Sequence, residues 1–308
     1  MAREPILAAA EASVVLNRPF ASSTVLSDYW GLTKPEVSFL IAVTTAAGFY
    51  MGSAAAPSHF SWISLLHALL STGLVAAGAA ALNQWMEYPF DAMMRRTARR
   101  AVAAGRIDPG HALMFGAFLS AAGLAYMLLA AGAVPSLLAL GTLVGYLSLY
   151  TPLKRITPLC TLVGAIPGAL PPLIGWAAAR GHLDPEAWVL FFIVFFWQLP
   201  HFMSIAWMYR DDYDRAGYLV LPDSRMRARF ATVQTLLPLV GLLLVSLLPI
   251  RTGEPNLLYS MGALALGLGF LYFGAQFALR RSGAAARRLL MASVFYLPAL
   301  LLLMILLA

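Results

Sequence analysis

Charged side chains are what this sequence has least of. Asp, Glu, Lys and Arg make up 11% of its 308 residues, and 60% of the chain is hydrophobic. A soluble domain carries about 25% charged residues, so a water-soluble globular protein is excluded and a polytopic membrane protein is expected. The net charge of +7 therefore reports topology in a lipid bilayer, and no nucleic-acid partner is expected. Cysteine is nearly absent. Cys160 alone excludes an internal disulfide and a cysteine-rich metal site, and its apolar surroundings mark it as inert packing. The first 34 residues lack an apolar stretch ending in a cleavage site, so no signal peptide is expected. Glu4 and Glu11 argue against an organelle transit peptide.

What the chain does have is long apolar runs. Nine are long enough to cross ~30 Å of hydrocarbon: about 37–56, 62–86, 111–131, 134–151, 159–179, 187–208, 230–250, 257–279 and 288–307. The fourth and fifth are interrupted by Pro152, Pro158, Pro167, Pro171 and Pro172. With the N-terminus in the cytoplasm and the spans alternating, all 21 Lys and Arg residues except Arg180 and Arg251 fall in cytoplasmic segments. The positive-inside rule thus supports an all-α bundle of nine transmembrane helices, N-terminus cytoplasmic and C-terminus outside. Residues 1–34 read as a cytoplasmic tail and residues 35–308 as a single intramembrane domain. Spans two and six both end in an acidic cluster followed by arginines, a weak sign of two related halves.

Four constellations could carry chemistry. Asn83, Glu87 and Asp91 recur every four residues, so on a helix they lie within ~80° of one another. Arg95, Arg96, Arg99 and Arg100 follow. Contacts to anionic lipid would explain the arginines. They do not explain two polar residues inside the last turns of an apolar run, where an ionised side chain costs roughly 2.5–3.5 kcal/mol at the bilayer centre and less near the edge. Oxygen ligands beside guanidinium groups suit a divalent cation carrying a phosphorylated substrate. The second constellation, after span six, holds Asp211, Asp212 and Asp214. Alone it is an ordinary polar loop. On the expected topology it shares a face with the first, and together they offer carboxylates to Mg²⁺. Lys154-Arg155 is a topogenic pair by itself, but its placement allows contact with a diphosphate. Finally, His201 stands within Trp197-Gln198-Leu199-Pro200-His201-Phe202. Among aromatics a hydrogen-bonded structural role is the ordinary one, and ligation of haem iron is the alternative.

Taken together these segments resemble a known family. Asn83-x-x-x-Glu87-x-x-x-Asp91-x-x-Met94-x-Arg96-Thr97-x-x-Arg100 resembles the first aspartate-rich motif of the UbiA-type intramembrane prenyltransferases. Its middle glutamate and Met-x-Arg-Thr run are similar to the haem O synthase (protohaem IX farnesyltransferase) branch. So are Tyr150-Thr151-Pro152-Leu153-Lys154-Arg155, Gly168 to Ala177 and Trp197 to Phe202. Asp212-Tyr213-x-x-Ala216-Gly217 resembles the second motif. The likeness runs from about residue 31 to the C-terminus. It departs at Ala101, where the family usually has proline, and at Asp211, an extra carboxylate that leaves open which aspartate faces the metal.

The resemblance implies farnesyl diphosphate and haem B as substrates, Mg²⁺ as cofactor and haem O as product. It implies Asn83, Glu87, Asp91 and Asp212 as catalytic residues, the same four with Asp211 as metal ligands, and Arg96, Arg100, Lys154 and Arg155 on the diphosphate. His201 would orient or ligate the porphyrin. The implied setting is the cell inner membrane with the site on the cytoplasmic face, and the implied protein partners are haem-handling or oxidase-assembly proteins. A related enzyme prenylating an aromatic quinone precursor would share the diphosphate site. A transporter would instead line a path through the midplane with its charges, and a haem chaperone would not need the Asn83–Asp91 row. Asp91→Ala should abolish prenyl transfer while the protein still inserts. Arg180→Ala, on the opposite face, should leave turnover nearly unchanged in the same assay.

Overall fold

A computed structural model describes residues 24–54, 60–248 and 256–307. Expectations resting on Glu4, Glu11 and Arg251 lie outside these residues. Polar caps start several helices where the sequence changes from loop to apolar run. Thr24 accepts from Ser27 N–H at the start of α1 (Val25–Leu32), and Ser61 accepts from Ser64 N–H at the start of α3 (Trp62–Asp91). Asp108 caps α4 (Pro109–Ala131), with Pro109 in the first turn, where its missing N–H costs no bond. Between α1 and α3 lies α2 (Pro35–Ala54). Pro89 falls in the last turn of α3, which ends two residues later.

The chain continues through α5 (Ala133–Leu153), α6 (Cys160–Arg180) and α7 (Ala187–Met208). The short α8 (Arg210–Arg215) follows, then α9 (Ser224–Ser246), α10 (Leu257–Arg280) and α11 (Gly283–Leu307). Among the described residues, nine helices are long and apolar enough to span a membrane: α2 to α7 and α9 to α11. They match the nine apolar runs of the sequence. The proline-rich fourth and fifth spans are irregular, as their sequence implies. Residues Gly145–Tyr150 of α5 are π-helical, and α6 breaks between Gly168 and Pro171. Residues 24–34, read from sequence as part of a tail, are helical up to Leu32 and packed on the bundle, because Leu32 is buried against Ala81, Ala101, Val102 and Ile107.

In lipid there is little hydrophobic drive between helices, so close packing and hydrogen bonds hold them together. Small residues provide the approach. Gly48 and Gly175 let α2 and the second half of α6 meet backbone to backbone: a Cβ on Gly48 would collide with the Pro172 carbonyl, and one on Gly175 with that of Thr45. Gly78, Gly116 and Gly123 do the same between α3 and α4. At the break in α6, Gln198 of α7 donates to the carbonyls of Ala165 (3.2 Å) and Val194 (3.1 Å). At the far end of this helix Asp184 accepts from Trp176 Nε1 (2.9 Å) and Arg180 Nε (3.1 Å), tying α6 to the start of α7. Gly175→Ala should lower stability by about 1–3 kcal/mol through overpacking, read as a fall in the thermal unfolding midpoint in detergent.

Candidate active site

The row of Asn83, Glu87 and Asp91 lies along the last turns of α3, and all three are buried. Each meets a cation from a different segment. Lys34, between α1 and α2, donates from Nζ to Asn83 Oδ1 (2.9 Å). Asn83 in turn donates from Nδ2 to Glu87 Oε2 (2.9 Å) and to Thr151 Oγ1 (3.3 Å). Lys154 Nζ donates to Glu87 Oε1 (2.7 Å), and the Tyr218 hydroxyl reaches the same oxygen (3.1 Å). Arg100 Nη1 lies 2.9 and 2.7 Å from the two oxygens of Asp91. The Asp91 carbonyl accepts from Thr97 Oγ1 (3.0 Å), which curls the following loop back over the row.

Local backbone aims these groups. The π-helical turn of α5 changes the phase at which Thr151 and Lys154 emerge, a geometry found often at functional sites. Lys154 also accepts the Leu219 N–H on its carbonyl (2.6 Å), which fixes the 216–223 loop and with it Tyr218. Burial disfavours the Lys154 ammonium, but the charge of Glu87 outweighs it and raises the pKa above the usual lysine value. Lys34 lies on the other side of this balance. Burial first, then the positive charge of Arg100, lowers its pKa to about 7.

Asp212 is buried beside this row rather than within it. Its Oδ2 accepts from the Arg96 N–H (3.2 Å), and its Oδ1 meets Arg215 (2.9 Å). Burial would raise its pKa, but these bonds outweigh it and hold the carboxyl below the usual range. The two acidic clusters therefore lie at the same end of the bundle, joined by the loop that starts at Ala92. Asp211, expected from the sequence among the metal ligands, faces outward. Its side chain is 80% exposed and lies 3.6 Å from Arg210, because one helical step from Asp212 turns it away from the interior. Arg96 and Arg155 are exposed at the rim, over the rings of Tyr209 (5.0 Å) and Phe90 (4.4 Å). Arg106 pairs with Asp28 (2.9 Å). His201 lies apart from the row, with Nδ1 2.8 Å from Ser293 Oγ and its ring stacked on Trp197.

Among the described residues no three His, Cys, Asp or Glu side chains gather into a metal centre made of protein ligands alone. The donors present are one amide oxygen and carboxylates, each already facing a cation. That set fits Mg²⁺, which takes one or two carboxylates and completes its shell with water and substrate phosphate oxygens. Sequence reasoning missed Lys34, Thr151 and Tyr218 as neighbours of the row. Lys34 stands out in the sequence only as a topogenic cation before Pro35, and nothing in the sequence marks Tyr218.

A family model described as the UbiA prenyltransferase family matches residues 41–300. The chain belongs to the UbiA prenyltransferase family. Relatives named protoheme IX farnesyltransferase include one from Solibacter usitatus, 46% identical over 89% of this chain and 96% of the relative, and one from Koribacter versatilis, 40% identical over 92% and 93%. Solved structures share the fold at low identity. A UbiA homolog from Aeropyrum pernix K1 is 18% identical, with a TM-score of 0.65 over 85% of this chain and 97% of that one. A UbiA homolog from Archaeoglobus fulgidus, bound to GPP and Mg²⁺, is 15% identical, with a TM-score of 0.61 over 90% and 99%. Within this UbiA-family site, removing one member of a buried ion pair leaves the other uncompensated, at a cost of about 3–5 kcal/mol. Lys154→Met and Glu87→Gln should each lower the thermal unfolding midpoint, and the double variant should fall by less than their sum.

Proposed function

We propose that this UbiA-family enzyme transfers the farnesyl group of farnesyl diphosphate to a vinyl group of haem B, giving haem O. The observation that carries the reading is the buried row of Asn83, Glu87 and Asp91 facing Lys34, Lys154 and Arg100, in a chain 46% identical to a relative named protoheme IX farnesyltransferase. A fold relative was solved with GPP and Mg²⁺ bound, and in this chain the cations gathered around the row suit a diphosphate at this end of the bundle. Asn83, Glu87 and Asp91, with Asp212, would hold Mg²⁺, which supplies Lewis-acid neutralisation of the diphosphate oxygens.

Ionisation breaks the C1–O bond of the prenyl donor, and its electron pair leaves with the diphosphate. Arg100 and Lys154 neutralise that developing charge from inside the site, with Arg96 and Arg155 at the rim, and such stabilisation is usually the largest catalytic contribution. The vinyl π pair then forms the new C–C bond with the allylic cation. Water adds to the carbocation left beside the porphyrin and loses a proton, completing a hydroxyethylfarnesyl side chain. Apolar helices shelter the allylic cation from earlier capture by water.

His201 is the proposed haem ligand. Ser293 Oγ already donates to the Leu290 carbonyl (2.6 Å), so it accepts from His201 Nδ1–H at 2.8 Å. That tautomer leaves the lone pair on Nε2, the form in which imidazole binds iron. The distribution of Lys and Arg supports placing the site on the cytoplasmic face of the cell inner membrane, N-terminus in and C-terminus out. Purified protein given haem B, farnesyl diphosphate and Mg²⁺ should form a hydroxyethylfarnesyl haem by mass spectrometry, and EDTA should stop it. Diphosphate release only with aromatic acceptors would replace the haem reading with the quinone-type one. His201→Ala should weaken haem binding.

A further inference from the structure

α1 lies outside the nine spans, yet several contacts fix it to the frame of the site. Gln84 follows Asn83 on α3 and so points ~100° away from it. Its Nε2 donates to the carbonyls of Gly31 (3.3 Å) and Leu32 (3.1 Å) at the C-terminus of α1, where the Gly31 carbonyl also accepts the Lys34 N–H (3.4 Å). Arg106 clasps Asp28, with Nε 3.0 Å from both carboxylate oxygens and Nη2 2.9 Å from one, and Nη2 also reaches the Arg99 carbonyl (3.0 Å). Between this braced helix and α2 stands Lys34, whose φ is +46°. A lysine adopts that left-handed conformation only where its surroundings hold it.

The charges of the row explain what the brace achieves. Two carboxylates face three cations. Lys154 takes Glu87 and Arg100 takes Asp91, while Lys34 is left with the neutral amide oxygen of Asn83. An ammonium in that position has no carboxylate of its own to satisfy, so it is available to an anion. It also shares Asn83 Oδ1 with any divalent cation bound there. A diphosphate bridging the two would give the ammonium anionic oxygens in exchange.

We propose that α1, Gln84 and the Asp28–Arg106 clasp station Lys34 as a further anion-binding group of the site, its ammonium pairing with the diphosphate, and that Gln84 is its positioning residue. The proposal rests on the diphosphate reading above.

The test is calorimetric binding of inorganic pyrophosphate with Mg²⁺ to the full chain in lipid nanodiscs. Lys34→Cys should weaken binding about tenfold or more, the scale of one charged hydrogen bond. Alkylating that cysteine with 2-bromoethylamine restores an ammonium on a stem of similar length and should restore affinity, whereas iodoacetamide should not. Cys160 is buried and out of reach of both reagents. Gln84→Met keeps the charge of Lys34 and forms the independent arm. It should weaken binding on its own and add little in the Lys34→Cys background. Pyrophosphate binding unchanged in Lys34→Cys, or no recovery on aminoethylation, overturns the role of Lys34. An unchanged Gln84→Met, or a penalty that adds in full, overturns the positioning role. A wild-type chain that does not bind pyrophosphate at all overturns the diphosphate reading itself.

Discussion

A carboxylate placed at the end of a membrane helix and shielded from water must find a positive partner close by, and the row on α3 imposes this demand on everything around it. Glu87 and Asp91 are buried, and an isolated buried charge would neutralise or unfold its surroundings. Their partners come from separate places in the chain: Lys154 from the end of α5 and Arg100 from the loop after α3. Satisfying the row therefore brings these segments to one end of the bundle. The same loop gives the Arg96 N–H to Asp212, so the second acidic segment joins as a consequence of how the first is satisfied.

That convergence depends on helices that can approach closely. Gly48, Gly78 and Gly175 remove the side chains that would hold α2, α3, α4 and α6 apart. The irregular backbone has a related part. The π-helical turn in α5 and the break in α6 occur where the sequence is rich in proline and glycine, and they are tolerated inside a membrane because neighbouring groups such as Gln198 supply hydrogen bonds. The carboxylates are thus fixed on a helix, while their cations reach them from the end of α5 and from the loop after α3, which Thr97 ties to the Asp91 carbonyl.

The charge pattern connects this architecture to catalysis. A donor that ionises to a diphosphate needs positive groups that are present before the bond breaks yet free to shift onto the leaving group. Arg100 and Lys154 are held by carboxylates that a metal ion would also claim, so in the proposed reaction a metal–diphosphate pair would offer each of them a new partner. His201 belongs to a different neighbourhood, against α11 through Ser293 and Trp197. In the proposed reaction, donor and acceptor would therefore be handled in different parts of the bundle.

The number and extent of the spans follow from the amino-acid order, because the length of an apolar run and the cost of charge within it are local properties. The four-residue spacing of Asn83, Glu87 and Asp91 likewise defines one helix face without reference to the rest of the chain. The partner of each member of that row does not follow from the order. Lys34 meets Asn83 across 49 positions and Tyr218 meets Glu87 across 131, separations over which no periodicity carries information. Which of the adjacent Asp211 and Asp212 is buried was closed to the sequence for the same reason. It depends on which way α8 is rotated against the loop at Arg96, and that rotation is set by packing between helices distant in the chain.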